Sequence, residues 1–189
     1  EAETKLYDGT GDDGTIPNTD PYIPPVMRMI LLDMPPVRNQ DVLSPGLYLI
    51  VNTATIDQEY QGAGIWNSYG NIYEQISHLQ VQGFSFTVKS ALPSGYLNEW
   101  DESATLTIEV DGPTSQTAPV DGTEFNVLNG ANTIYIMGEI IAFSEVTNGV
   151  IAGQYILSKL LRGRRDTLDF MEEKVIGSAG VVISHLNGG

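Results

Sequence analysis

The sequence predicts an all-β protein, with antiparallel strands in one complex barrel or sandwich or in two small β-barrels, and at most one or two short helices. Three observations lead there. Apolar residues recur at every second position in several short segments, the period of a half-buried strand. Twenty Gly and ten Pro in 189 residues punctuate those segments with turns. Helical spacing is confined to one short candidate near the carboxyl end.

Residues 1–25, "EAETKLYDGTGDDGTIPNTDPYIPP", have no apolar period and are rich in Asp, Gly, Thr and Pro, which predicts an extended arm or linker. The run Val26–Asp33, ended by Pro35-Pro36, predicts a mostly buried strand. "GLYLIV" and the segments around "AGIW" and "NIYEQISHLQV" follow as strands. In "FSFTVK", Phe84, Phe86 and Val88 face one way and Ser85, Thr87 and Lys89 the other. In "ATLTIEV", Leu106, Ile108 and Val110 oppose Thr105, Thr107 and Glu109. "EFNVLNGANTIYIMGEIIAFSEV" predicts a further strand pair turning at Asn129-Gly130, with Gly138 marking a bulge or close backbone approach. "GQYILSKLLRG" is apolar on both faces, as an interior strand is, and "VIGSAGVVIS" closes the set. The helical candidate is "DTLDFMEEK", Asp166–Lys174, capped by Asp166 or Thr167. The organisation expected is an arm over 1–25, a first β subdomain over 26–111 and a second over 112–189; the two could equally pack as one module.

A net charge of −15 opposes nucleic acid as a partner, since a polyanion is repelled unless a basic patch outweighs the field. Cysteine is absent, which excludes disulfides and thiolate metal sites. No stretch approaches the ~20 apolar residues of a membrane-spanning helix.

Several motifs have plainer readings beside their chemical ones. "GTGDDG", Gly9–Gly14, matches the dinucleotide fingerprint in letters only, because two aspartates would face the phosphates and no strand or helix flanks it. Asp8, Asp12 and Asp13 do not continue into a calcium loop, whose closing Glu would fall at Thr19. Glu99, Asp101 and Glu102 beside Trp100 form the kind of cluster a glycosidase uses, but sequence neighbours do not supply carboxyls held across a bond. His78 and His185, the only histidines, are too few for a multi-histidine zinc site and lack a nucleophile elbow. Catalytic, cofactor and metal residues are therefore expected to be none. Tyr60, Trp66, Tyr69 and Tyr73, with Trp100, offer a candidate face for a host-surface polysaccharide, although sheet packing uses the same residue types. The basic run Lys159–Arg165 either grips an anion or turns one Arg inward onto carbonyls or a carboxylate such as Glu139.

"MILLDMPPVRNQD", "GLYLIV", the tryptophan of "AGIWNSYGNIYEQ", "VLNGANTIYIMGEIIAF" and "YILSKLLRGRRDT" resemble, in order and spacing over about residues 26–185, the carboxy-terminal region of the large baseplate hub, or tail-tip, protein of long-tailed bacteriophages and gene transfer agents. The most specific letters include Asn129, Gly130, Gly138 and Glu139, then Arg162, Gly163, Arg164, Arg165 and Thr167. The resemblance implies a non-enzymatic virion component without cofactors. It would be made in the host cytoplasm, assembled as a homotrimer with other tail and baseplate proteins, and turned toward the host envelope. Asp166 stands where the family usually has Gly, which favours a helix cap over a tight turn there. A start at Glu1 without the family's upstream hub regions fits an excised module or split gene.

Overall fold

The structure, a computed structural model, describes residues 26–37, 42–43, 47–53, 60, 62–80, 82–111 and 118–183. The expected arm over 1–25, with its "GTGDDG" loop, and His185 lie outside the described residues. The protein is all-β. Six strands close an antiparallel barrel: β5 (Phe84–Val88), β6 (Trp100–Asp111), β7 (Thr133–Ile136), β8 (Glu139–Asn148), β9 (Gln154–Arg164) and β10 (Ala179–Val182), in the order β10-β5-β6-β9-β8-β7. Two separate two-stranded sheets precede it, β1 (Met27–Leu32) with β2 (Tyr48–Thr53) and β3 (Ala63–Tyr69) with β4 (Ile72–Leu79). The barrel takes strands from both sides of residue 112, so the segments expected as two subdomains contribute to one closed sheet.

Alternation fills the barrel. Phe84, Phe86 and Val88 meet Leu106, Ile108, Phe143 and Leu157 inside it. Each buried side chain of this size contributes about 1.5–3 kcal/mol. On β10, Val182 joins this core, while Val181 points outward into a second cluster with Met34, Val37, Ile140 and Ile183. The β1–β2 sheet covers that cluster with Ile30, Leu32, Tyr48 and Ile50. It also buries Ser85, whose Oγ accepts a bond from Asn52 and donates one to Asp111. Gly180 is required by close approach, since a Cβ there would lie 2.3 Å from Cζ of Phe86.

Several local expectations are corrected. The Val26–Asp33 strand forms, but Met27, Met29 and Leu31 are exposed because β1 belongs to a two-stranded layer with only its inner face on the barrel. The strand expected at the start of "EFNVLNGAN" is a helix, α1 (Glu124–Leu128), begun by Thr123, whose Oγ1 accepts from the Asn126 amide. Asn129-Gly130 ends that helix and does not turn a hairpin; Gly130 has φ +102°. The hairpin turn is Met137-Gly138, with φ 48° and 87°, joining Ile136 to its partner Glu139, so Gly138 is not a bulge; the close approach expected there does occur, since a Cβ would lie 2.5 Å from Cδ1 of Phe170. The helix expected over Asp166–Lys174 shrinks to one 3-10 turn, Leu168–Phe170, and Thr167 makes no side-chain cap. A tight turn replaces the cap: Arg165 and Asp166 both take left-handed backbone, φ 55° and 64°, and the Thr167 amide bonds the Arg164 carbonyl. Asp is among the few residues that visit this region without Gly.

Candidate functional site: a buried ion cluster with a cationic rim

Glu139 opens β8 directly behind the Met137-Gly138 turn, and its side chain is wholly buried. Arg162, near the end of β9 and 2% exposed, reaches it through a two-point contact. Nε donates to Oε1 at 2.7 Å and Nη2 to Oε2 at 2.8 Å. The Gly163 amide adds a bond to Oε1 at 2.9 Å, and Lys174 Nζ lies 3.0 Å from Oε2. Arg162 spends its remaining reach on the carbonyls of Pro93 and Glu172. Lys174 also donates to the Phe170 carbonyl, and its backbone pairs in both directions with Leu92. Thr167, the other buried signature residue, donates from Oγ1 to the Arg164 carbonyl and accepts from the Ile140 amide.

Asp101 lies buried within electrostatic reach of Arg162. Its Oδ1 accepts from the amides of Ser103 and Ala104 and from the Ser103 hydroxyl. Burial pushes its carboxyl up, but these hydrogen bonds and the Arg162 charge outweigh that and hold it below the ordinary aspartate value. Two carboxylates thus accompany two cations. The Glu139 carboxylate receives four donors, which is about its full acceptor capacity, so it offers no lone pair to a substrate. The cluster ties together the start of β8, the end of β9, the loop after β5 and the segment leading to β10.

The other candidate residues fall on separate parts of the molecule, apart from the carboxylates beside Trp100. Glu99, Asp101 and Glu102 line one open cleft with Tyr96, Trp100 and Ser103, Asp101 from a buried position with its Oδ1 committed to Ser103 and Ala104. A depressed carboxyl pKa is the opposite of what a general acid needs. His78 is exposed on β4. Among the described residues, no group of three or more His, Asp and Glu is placed to hold a metal. Tyr60 is buried, with its hydroxyl donating to the Leu79 carbonyl, so it presents no surface to a glycan. Trp66, Tyr69 and Tyr73 are exposed on the β3–β4 ribbon. The register, Ser68 with Tyr73 and Tyr69 with Ile72, puts Trp66 and Tyr73 on one face and Tyr69 on the other. Trp100 lies on β6 instead, under the Lys159 ammonium 5.8 Å from its ring.

Of the basic run, Arg164 is half-buried and Arg165 exposed. Sequence reasoning named Arg162 and Glu139 but missed Lys174 and Asp101. Lys174 carried no signal, standing at the end of the expected helix, and Asp101 read as one of three clustered carboxylates beside Trp100.

No curated protein matches the chain. The Rcc01698-like, C-terminal family matches residues 86–181, from within β5 to within β10, and so takes in most of the barrel and all four members of the ion cluster. That match spans just over half of the 189 residues, and the chain belongs to the Rcc01698-like, C-terminal family.

Proposed function

We propose that the chain is a structural module of a phage-type tail tip or baseplate hub, working by assembly with other tail and baseplate proteins as a homotrimer in the particle and turned toward the host envelope. The observation that carries this reading is the use made of the residues on which the resemblance rests. Glu139, Arg162, Gly163 and Thr167 form buried bonds to one another and to the backbone and present no free reactive group. A motif spent on holding a barrel shut suits a building block. Exposed apolar side chains on β1 and the β3–β4 ribbon suit a subunit that gains neighbours.

The test is to label the Gly149–Gly153 turn, which lies between β8 and β9, with a short epitope and image the particles that carry the chain. Antibody density at the tail tip is expected, with loss of complete tips when the gene is deleted. Label-free particles with normal tips would sink the reading. A second reading, a module for host-surface polysaccharide, is favoured by Trp66 and Tyr73 lying exposed on one ribbon face. Glycan-array binding that disappears in Trp66→Ala would favour it. A glycan hydrolase is the least supported class, given the locked Asp101.

A further inference from the structure

Of the nine Lys and Arg residues, Lys5 and Arg38 lie outside the described residues. Among the others, Arg28 pairs with Asp111, Lys89 with Glu109, Lys159 with Glu124, and Arg162 and Lys174 with Glu139. Arg164 and Arg165 remain, adjacent in sequence, and neither forms an ion pair among the described residues. In a chain of net charge −15 that is unexpected, because carboxylates are abundant and Asp166 is the next residue. Burial, and then the neighbouring Arg165 charge, lower the affinity of Arg164 for its proton, so the pair stands uncompensated. Among the described residues the pair's one polar side-chain contact is a weak 3.5 Å approach of Arg164 Nη2 to the Leu128 carbonyl.

The two side chains line a cleft of about 360 Å³ with Leu128 and Asn129, and a neighbouring one that includes Trp100, Leu168 and Asp166, whose carboxylate forms no ion pair with either arginine. The turn that aims them is strained, since Arg165 and Asp166 both occupy left-handed backbone that L-residues adopt at a cost. Backbone strain of this kind concentrates at functional positions.

We infer that Arg164 and Arg165 form a docking site for a carboxylate-bearing segment of another protein chain. Guanidinium forks match carboxylates in two-point geometry, and Leu128, Trp100 and Leu168 supply apolar surface for the aliphatic part of a Glu side chain. A nucleic acid or an anionic membrane would carry many charges past the two arginines into the field of the acidic chain, whereas a peptide brings only one or two. The inference does not depend on the tail-tip reading.

The probe is an acetylated, amidated tetraglutamate peptide, titrated into the whole isotope-labelled chain and followed by nuclear magnetic resonance. Saturable shifts are expected at the Arg164 and Arg165 side-chain Nε–H groups and the Leu128 and Asn129 amides. Raising the salt should weaken them, and in Arg164→Gln/Arg165→Gln the affinity should fall about tenfold or more, the loss of one charge-assisted bond or its equivalent. Unchanged resonances away from the cleft report that the double variant is folded; if it is not, Arg165→Gln alone, at an exposed position, takes its place. Absence of saturable shifts, or equal shifts with tetraglutamine, would overturn the inference. Tighter binding of inorganic phosphate would replace it with a simple anion site, and broadening by anionic vesicles with a membrane site. The same shifts on concentrating the chain alone, lost in the variant, would support it and identify a second copy as the source of the carboxylates.

Discussion

Strands β5 and β4 are both short, rich in apolar residues and paired antiparallel. In β5, Phe86 is 0% exposed and its neighbours Phe84 and Val88 are equally enclosed by the barrel. In β4, Ile72 is 75% and Tyr73 70% exposed, and the ribbon partner β3 leaves Trp66 exposed as well. The difference lies in closure. The barrel gives each strand two neighbours and one shared interior, whereas an isolated two-stranded ribbon has no interior and is marginal in water. Apolar patterning shows that a face favours cover; it does not show which surface provides it.

That comparison can be broken at several points, beginning where the barrel is most committed. Glu139→Gln leaves Arg162 and Lys174 buried without their paired carboxylate, with only Asp101 nearby, and a loss of about 3–5 kcal/mol is expected by urea unfolding. A loss below about 1 kcal/mol would show that the cluster does not hold the barrel together. Gly180→Ala forces a Cβ into the Phe86 ring, and overpacking of this kind costs about 1–3 kcal/mol. An unchanged thermal midpoint would mean that β10 shifts freely against β5.

Acid offers a milder probe. The Asp101 carboxyl is held below its ordinary value in the folded chain, so its stabilisation is fully present above the unfolded aspartate pKa, near 4, and is lost as pH falls through the folded value. Urea midpoints compared between neutral pH and pH 3 should decline less in Asp101→Asn than in the parent. Equal declines would remove Asp101 from the charge balance proposed above. At the ribbon, Trp66→Ala should move global stability by no more than about 0.5 kcal/mol, because the ring is exposed. Hydrogen exchange should then show β9 amides protected near the global limit and β3–β4 amides opening locally. Ribbon amides as protected as those of β9 would mean that the two regions unfold together.

Much of the barrel was legible locally. The alternation in "FSFTVK" and "ATLTIEV" identified the inward residues of β5 and β6, because strand periodicity depends only on neighbours in the chain. By contrast "GQYILSKLLRG", which read as enclosed on both faces, is a wall strand with Ile156 only half-buried. Turn chemistry was less faithful. Asn129-Gly130 carries a hairpin signal that also suits a helix terminus, and Met137-Gly138 lacks the polar first residue that usually marks a two-residue turn. The inward fold of Arg162 toward Glu139 could be named as one of two fates, because a basic residue at the end of a buried strand must find an acceptor somewhere.

By itself, then, the sequence determined the all-β class, the faces of the barrel strands, the acidic field that disfavours polyanions and the short list of residues around Arg162. The tertiary structure decided the rest. It chose one closed barrel over two, brought Lys174 and Asp101 to the cluster, buried Tyr60, left Trp66 and Tyr73 outside, and separated the paired cations from Arg164 and Arg165. Periodicity is a property of adjacent residues and survives in any local reading. Closure of the sheet and pairing of buried charges are settled between residues far apart in the chain, where only the assembled fold sets distance and solvent access.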